Sequence, residues 1–80
     1  MTLGSLRKGA LARIVNNRAH DELKHRLLAF GFIKGRPVEL VARSIFGGTV
    51  VVRLDRHSTF SLRRSEAEQI EVSEMAGDDA

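Results

Sequence analysis

The spacing of apolar residues in the first third of the chain predicts a short amphipathic helix. Leu23, Leu27 and Phe30 recur at i, i+4 and i+7, which places them in one stripe of a 3.6-residue helix. Gly31 follows directly, and glycine at this position is typical of a left-handed helix end. Asp21 is the residue that we expect to cap the start of the helix.

Leu28 lies outside this stripe and is predicted to be exposed. It sits well over 90° from Leu23 on a helical wheel, so it is expected at the edge of the helix or on its outer face. Interface hot spots favour an apolar residue surrounded by arginines, and Arg26 and Arg36 flank this segment. The sequence therefore suggests Arg26, Leu28 and Arg36 as partner-binding residues.

Five short apolar runs separated by turn residues predict strands. The expected strands span residues 10–15, 38–42, 49–54, 59–63 and 70–72, with Gly47 and Gly48 forming a turn. Ser65 and Glu68 have the S-x-x-E spacing of a capping box, which predicts one helical turn before the last strand. All four phenylalanines are expected in the core or packed on turns. The fold class is therefore all-β with one short helix, a small five-stranded and partly open barrel.

Length and composition limit the classes of function. Eighty residues allow one small domain, expected over residues 1–73, with an acidic tail over 74–80 that is predicted to be disordered. The absence of cysteine agrees with a reducing cytoplasm. No apolar run approaches the ~20 residues that cross a bilayer, so direct membrane insertion is not expected.

Charge is distributed unevenly along the chain. Residues 1–65 hold all 13 lysines and arginines against four acids, a balance of +9, whereas residues 66–80 hold six acids and no base. The two segments should attract each other, and the basic excess makes a nucleic-acid-binding barrel one alternative function. Without tryptophan or tyrosine for base stacking, such binding is expected to be weak and not sequence-specific.

No catalytic motif accompanies the polar residues between the third and fourth strands. Asp55, His57 and Ser58 are close in sequence, but adjacent strand residues point to opposite faces and no nucleophile elbow is present. The sequence therefore predicts a protein that is not an enzyme.

A metal-binding carrier or sensor is a further alternative, based on residues at the start of the helix. Asp21 and His25 are spaced i,i+4, so a carboxylate and an imidazole can point at one ion. His20 is about 140° from His25 around the helix, so a further ligand would come from His57 or from a neighbouring molecule. We therefore expect at most an incidental divalent ion, zinc or iron, at His20, Asp21 and His25, and no required cofactor.

The order and spacing of three segments resemble the ferrous iron transport protein A family, FeoA. The resemblance extends from Leu6 to about Val72. The matching segments are Leu6-x-x-Gly9-x-x-Ala12-x-Ile14, Arg26-Leu27-x-x-x-Gly31-Phe32-x-x-Gly35-x-x-Val38 and Leu62-Arg63-x-x-x-Ala67-x-x-Ile70-x-Val72.

The resemblance implies a fold and a function. Members of this family are similar to SH3-like β-barrels and are small cytoplasmic accessories of FeoB, a membrane iron transporter with an N-terminal G-protein domain. The chain is therefore expected to be a non-enzymatic cytoplasmic protein of ferrous iron uptake. We expect it to dock on the cytoplasmic portion of a FeoB-type transporter, to be recruited to the inner face of the cell membrane, and at most to self-associate weakly.

Overall fold

A computed structural model describes residues 1–75, and of the tail predicted over 74–80 residues 76–80 lie outside the described residues. The elements in chain order are a 3-10 turn at Leu3–Ser5, β1 (Leu11–Asn17), α1 (Asp21–Phe30), β2 (Pro37–Arg43), β3 (Thr49–Leu54), β4 (Ser58–Arg63), α2 (Arg64–Ala67) and β5 (Ile70–Glu74). The predicted five strands, main helix and additional helical turn are confirmed. Strand β5 continues through Glu74, one residue beyond the predicted end of the domain.

The five strands form one antiparallel sheet in the order β4-β3-β2-β1-β5. Register shifts occur between Ile14 and Asn16 in the β1–β5 pair and between Leu40 and Ala42 in the β2–β3 pair. Such irregularities bend a strand and increase its twist, which lets a short sheet curl into a barrel.

The core lies inside the curled sheet, and within residues 1–75 its buried side chains are apolar apart from that of Asn17, the last residue of β1. The buried side chains alternate along the strands with exposed ones, as the two-residue period requires. Asn17 is buried but satisfied, since its Oδ1 accepts from the Ala19 N–H at 3.0 Å and its Nδ2 donates to the Lys24 carbonyl at 3.4 Å. The buried apolar residues are Leu3, Leu6, Ala12, Ile14, Ala19, Leu27, Phe32, Val38, Leu40, Val50, Val52, Leu54, Leu62, Ala67, Ile70 and Val72.

Helix α1 ends at Gly31 as predicted. Gly31 has φ +105°, a left-handed conformation that favours glycine. The N–H groups of Gly31 and Phe32 donate to the carbonyls of Leu28 and Leu27 at 2.9 and 3.1 Å. Phe32 then turns wholly into the core, so the chain leaves the helix with its last carbonyls satisfied and its next side chain buried.

The predicted start of α1 is off by one residue. Asp21 is already the first helical residue, and His20 is the extended residue before it. The His20 carbonyl accepts the first intrahelical bond, from the Lys24 N–H at 3.3 Å. That makes His20 the cap position, although no side chain caps the helix there.

The predicted capping box of α2 is also wrong in its register. The Arg64 N–H donates to the Gly48 carbonyl at 3.0 Å, so the helical turn begins directly after β4. The Glu66 carboxylate, rather than that of Glu68, accepts from the N–H of the cap residue Arg63 at 3.0 Å. Ser65 therefore lies inside the turn rather than at its start.

The expectation that all four phenylalanines are buried or packed on turns is wrong for two of them. Phe30, at the end of the helix, is 40% exposed and stacks on Phe60 with 5.0 Å between ring centroids. At this end of the helix Phe32, rather than Phe30, lies in the core, and its ring centroid is 5.5 Å from that of Phe60. Phe46 is almost wholly exposed.

The expected attraction between the basic body and the acidic end of the chain is confirmed within residues 1–75. Ion pairs join acids of residues 66–74 to arginines of the body, with N···O distances between 2.5 and 3.2 Å. All of these pairs lie at the surface, where each is worth about 0–1 kcal/mol. They are Arg7–Glu74, Arg18–Glu71, Arg26–Glu66 and Arg64–Glu68.

Candidate interaction site around the end of the helix

Apolar and basic side chains are exposed on the surface of the segment where α1 passes into β2. We call this surface the α1–β2 corner and define it by Leu28, Phe30, Ile33, Lys34 and Arg36, all of which are exposed. Leu28 is 41% and Ile33 is 42% exposed, values that are high for large apolar side chains. The predicted exposure of Leu28 is confirmed. No acid occurs between residues 22 and 39 of the sequence, so the corner is both apolar and basic.

Hydrogen bonds attach the corner to the barrel. The Gly35 N–H donates to the Ile14 carbonyl at 2.7 Å, and the Ile14 N–H donates to the Arg36 carbonyl at 3.0 Å. The guanidinium of Arg13 donates to the Gly35 carbonyl at 2.9 Å, and that of Arg36 donates to the Gly31 carbonyl at 3.3 Å. The backbone of the corner is therefore held on β1, so a partner would meet a preformed surface.

Arg26 is held by an ion pair within the molecule. Its guanidinium donates to the Glu66 carboxylate at 2.5 Å and links α1 to α2. On the helix it is four positions from Phe30 and two from Leu28, so it lies on the Phe30 side of α1 rather than on the Leu28 side. The proposed partner-binding role of Arg26, Leu28 and Arg36 stays a prediction; Leu28 and Arg36 belong to the corner as defined, and Arg26 is paired with Glu66.

The predicted metal ligands His20, Asp21 and His25 are all exposed at the start of α1. Within residues 1–75, no group of three or more histidine and acidic side chains comes together in a way that could hold an ion. His57 is the last residue of the turn between β3 and β4, where its N–H donates to the Leu54 carbonyl at 3.1 Å. Metal binding here stays a prediction, and it needs ligands beyond those that residues 1–75 bring together.

The surface of residues 1–75 also has two grooves that are open to solvent. One has a volume of about 360 Å³ and runs between α1 and α2, past Ala19, Leu23 and Gln69. The other, of about 580 Å³, lies beside β1 and is lined by charged groups that include Lys8 and Glu39. Small molecules usually bind in enclosed pockets. Open grooves of this kind are therefore better suited to contact with the surface of a macromolecule.

Comparison with known proteins identifies the family. A family model described as the FeoA domain matches residues 1–74. The chain belongs to the FeoA family. A Campylobacter jejuni protein provisionally named Fe(2+) transport protein A is 48% identical over 73 residues, which cover 91% of this chain and 97% of that protein.

Solved FeoA structures confirm the fold class. The solution structure of FeoA from Chlorobium tepidum has a TM-score of 0.87 at 28% identity and covers 99% of this chain and 74% of that one. The crystal structure of Stenotrophomonas maltophilia FeoA, complexed with zinc and described as an SH3 domain protein, has a TM-score of 0.76 at 34% identity. The match covers 91% of this chain and 89% of that one. The curled sheet of this FeoA-family chain is thus an SH3-like barrel.

Sequence reasoning missed part of the exposed surface of this FeoA-family protein. Ile33 contributes to the corner as much as Leu28, and Ile45 and Phe46 are the most exposed large apolar residues described. The turn-forming residues Ser44, Gly47 and Gly48 around the last two could have indicated a surface loop. No helix within residues 1–75 is long and apolar enough to cross a membrane.

Proposed function

We propose that this protein is a non-enzymatic accessory of ferrous iron uptake. The FeoA family match over residues 1–74 and the 48% identity to an iron transport protein A support this assignment. The structure suits a binding module, because its polar residues line open grooves on a small rigid barrel.

The proposed partner is the cytoplasmic portion of a FeoB-type transporter, and the proposed docking surface is the α1–β2 corner. One observation carries this choice: Leu28, Phe30 and Ile33 are each 40–42% exposed in a segment that also carries Lys34 and Arg36 and whose backbone is bonded to β1. Hot spots of protein interfaces are enriched in aromatic residues and arginine, which Phe30 and Arg36 supply here. The same charge would favour an acidic partner surface.

The alternative functions receive no comparable support. Proteins that bind single-stranded nucleic acid stack successive bases on several exposed aromatic rings. Phe30 stacks on Phe60, and within residues 1–75 Phe46 is the one phenylalanine that is almost wholly exposed. A metal carrier needs converging ligands, and within residues 1–75 no three histidine or acidic side chains come together, so His20, Asp21 and His25 do not form such a set.

A pull-down tests the docking surface. Detergent-solubilised FeoB-type transporter is incubated with the immobilised full chain, either wild type or carrying Leu28→Ser with Ile33→Ser. We expect the wild type to retain the transporter and the double variant to lose at least tenfold in affinity, since two apolar contacts are removed. Phe46→Ser is the matched control, because it removes an exposed apolar side chain away from the corner.

Circular dichroism verifies that each variant is folded before it is used. Equal retention by wild type and corner variant would refute the docking surface. Loss of binding with Phe46→Ser alone would move that surface to the other exposed apolar site.

A further inference from the structure

Two large apolar side chains occupy the centre of the tight turn between β2 and β3. The Gly47 N–H donates to the Ser44 carbonyl at 3.0 Å, which closes a four-residue turn with Ile45 and Phe46 at its two central positions. Ile45 is 94% and Phe46 is 97% exposed. Turn centres are usually glycine, proline, asparagine, aspartate or serine, so an isoleucine–phenylalanine pair is unusual there. We call Ile45 and Phe46 the β2–β3 tip.

The tip is held in an ordered hairpin. The Ser44 N–H donates to the Thr49 carbonyl at 2.9 Å, and the Ser44 Oγ accepts from the Thr49 N–H at 3.1 Å. The two strands continue directly from this pair, with Arg43 opposite Val50. Because the backbone of this turn is already ordered, burial of the tip in a new environment costs little additional conformational entropy.

Three arginines surround the base of the tip. Arg43 is the last residue of β2, and its guanidinium donates to the carbonyls of Gly4, at 2.8 Å, and of Leu6. Arg63 pairs with Thr49 in the sheet, and the Arg64 guanidinium lies 3.7 Å from the point where a β-carbon on Gly47 would sit.

The charge at the base of the tip is positive overall. Glu68 pairs with Arg64, and Glu66 accepts from Arg26 and from the N–H of Arg63. Within residues 1–75, the guanidinium groups of Arg43 and Arg63 have no carboxylate partner. The apolar tip therefore projects from a cationic base.

We propose that the β2–β3 tip inserts into the surface of an anionic lipid bilayer, with the arginines at its base contacting lipid headgroups. A protein partner is less suited to this feature, since two side chains on a convex turn offer little of the ~800 Å² per side that a stable interface uses. A fluid bilayer accepts a convex apolar knob without a complementary pocket. Apolar burial together with basic residues is also the combination that holds proteins at anionic membrane surfaces.

This proposal goes beyond docking to a transporter and involves a different surface from the α1–β2 corner. It also departs from the expectation of no direct membrane insertion, which considered only runs long enough to cross a bilayer. Two inserted side chains and a few arginines give weak and reversible attachment, which depends on the fraction of anionic lipid and on salt.

Vesicle flotation with the full chain tests the proposal. The probe is a phosphatidylcholine vesicle with about a third phosphatidylglycerol, compared with pure phosphatidylcholine. We expect binding to the anionic vesicle that decreases as salt is raised. Phe46→Ser should weaken it on the order of tenfold or more, because one buried aromatic side chain is lost. Arg63→Gln should weaken it about fivefold, because one basic residue near the surface is lost.

A tryptophan at the tip reports insertion directly. The chain contains no tryptophan, so Phe46→Trp introduces a single fluorophore, and Leu28→Trp provides a matched control on the corner. We expect the emission of the tip tryptophan to shift to the blue and to be quenched by brominated lipid when anionic vesicles are added. The corner tryptophan should not respond.

Three outcomes would overturn the proposal. They are absence of binding to anionic vesicles at 0.1 M salt, unchanged binding of Phe46→Ser, and no response of the tip tryptophan to lipid. Retention of detergent-solubilised transporter that is lost with Phe46→Ser would instead assign the tip to a protein partner. Self-association abolished by the same variant would assign it to a second copy of the chain. The corner substitutions that test transporter docking do not change the tip, so vesicle binding should be the same with and without them. The docking proposal and the membrane proposal can therefore be refuted independently.

Discussion

The contrast between Leu27 and Leu28 provides the most quantitative test of this structure. The two leucines are adjacent on α1, yet Leu27 has no exposed surface and is the one buried residue of that helix, whereas Leu28 is partly exposed. Leu27→Ala would empty a core position, and the transfer and cavity effects together cost about 2–5 kcal/mol. A domain of this length has a total stability of about 4–12 kcal/mol, so this loss is a large fraction of the whole.

Leu28→Ala should cost much less. Truncating a fully buried leucine to alanine removes three carbon groups at about 0.8 kcal/mol each, and with 41% of Leu28 exposed the expected loss is about 1.4 kcal/mol. In a domain of this size, 1 kcal/mol lowers the midpoint of thermal unfolding by about 4–8 °C. We therefore expect a shift of about 6–11 °C for Leu28→Ala and a clearly larger shift for Leu27→Ala.

Thermal unfolding followed by far-ultraviolet circular dichroism measures both shifts, and urea titration checks that unfolding remains two-state. Equal losses for the two variants would show that Leu28 is buried, and would remove the basis for placing it in a docking surface. A negligible loss for Leu27→Ala would contradict the packing of α1 on the barrel.

Three further predictions test local features. Gly31→Ala should destabilise the fold more than Gly35→Ala, because both positions have positive φ but only at Gly31 would a β-carbon meet other atoms, at 2.8 and 3.2 Å. Thermal midpoints compare the two, and equal losses would refute the close approach. Glu66→Gln weakens the ion pair with Arg26 and should cost less than about 1 kcal/mol in urea unfolding. Calorimetric titration should show weak zinc binding without preference for ferrous iron, reduced by His25→Ala, and a tight iron-selective site would contradict this expectation.

The sequence was sufficient for the elements whose signals are local. The i, i+4, i+7 spacing predicts α1, Gly31 predicts its end, and alternation predicts the strands, because backbone period and side-chain burial are linked within a few residues. The helix starts were less accurate. The bond from the Arg64 N–H to the Gly48 carbonyl, which fixes where α2 begins, joins residues that are 16 positions apart.

The surface was harder to predict than the core. Phe46 is apolar and was expected to be buried or packed, since residue type alone does not indicate whether a turn packs on the body or projects from it. The pairing of Arg26 with Glu66 spans 40 residues, so helix periodicity could not separate Arg26 from Leu28 and Arg36 as partner contacts. For the exposed histidines at the start of α1, residues 1–75 do not bring together a complete set of metal ligands.

Uptake of radioactive Fe(II) by cells tests the central claim most directly. A strain lacking the gene is compared with strains that express the wild-type chain or the Leu28→Ser, Ile33→Ser variant, with manganese uptake measured in parallel. If the protein is an accessory of ferrous iron transport, Fe(II) uptake should fall on deletion and should return with the wild-type chain but not with the corner variant. Manganese uptake should stay unchanged in all strains. Normal Fe(II) uptake in the deletion strain would contradict the assignment.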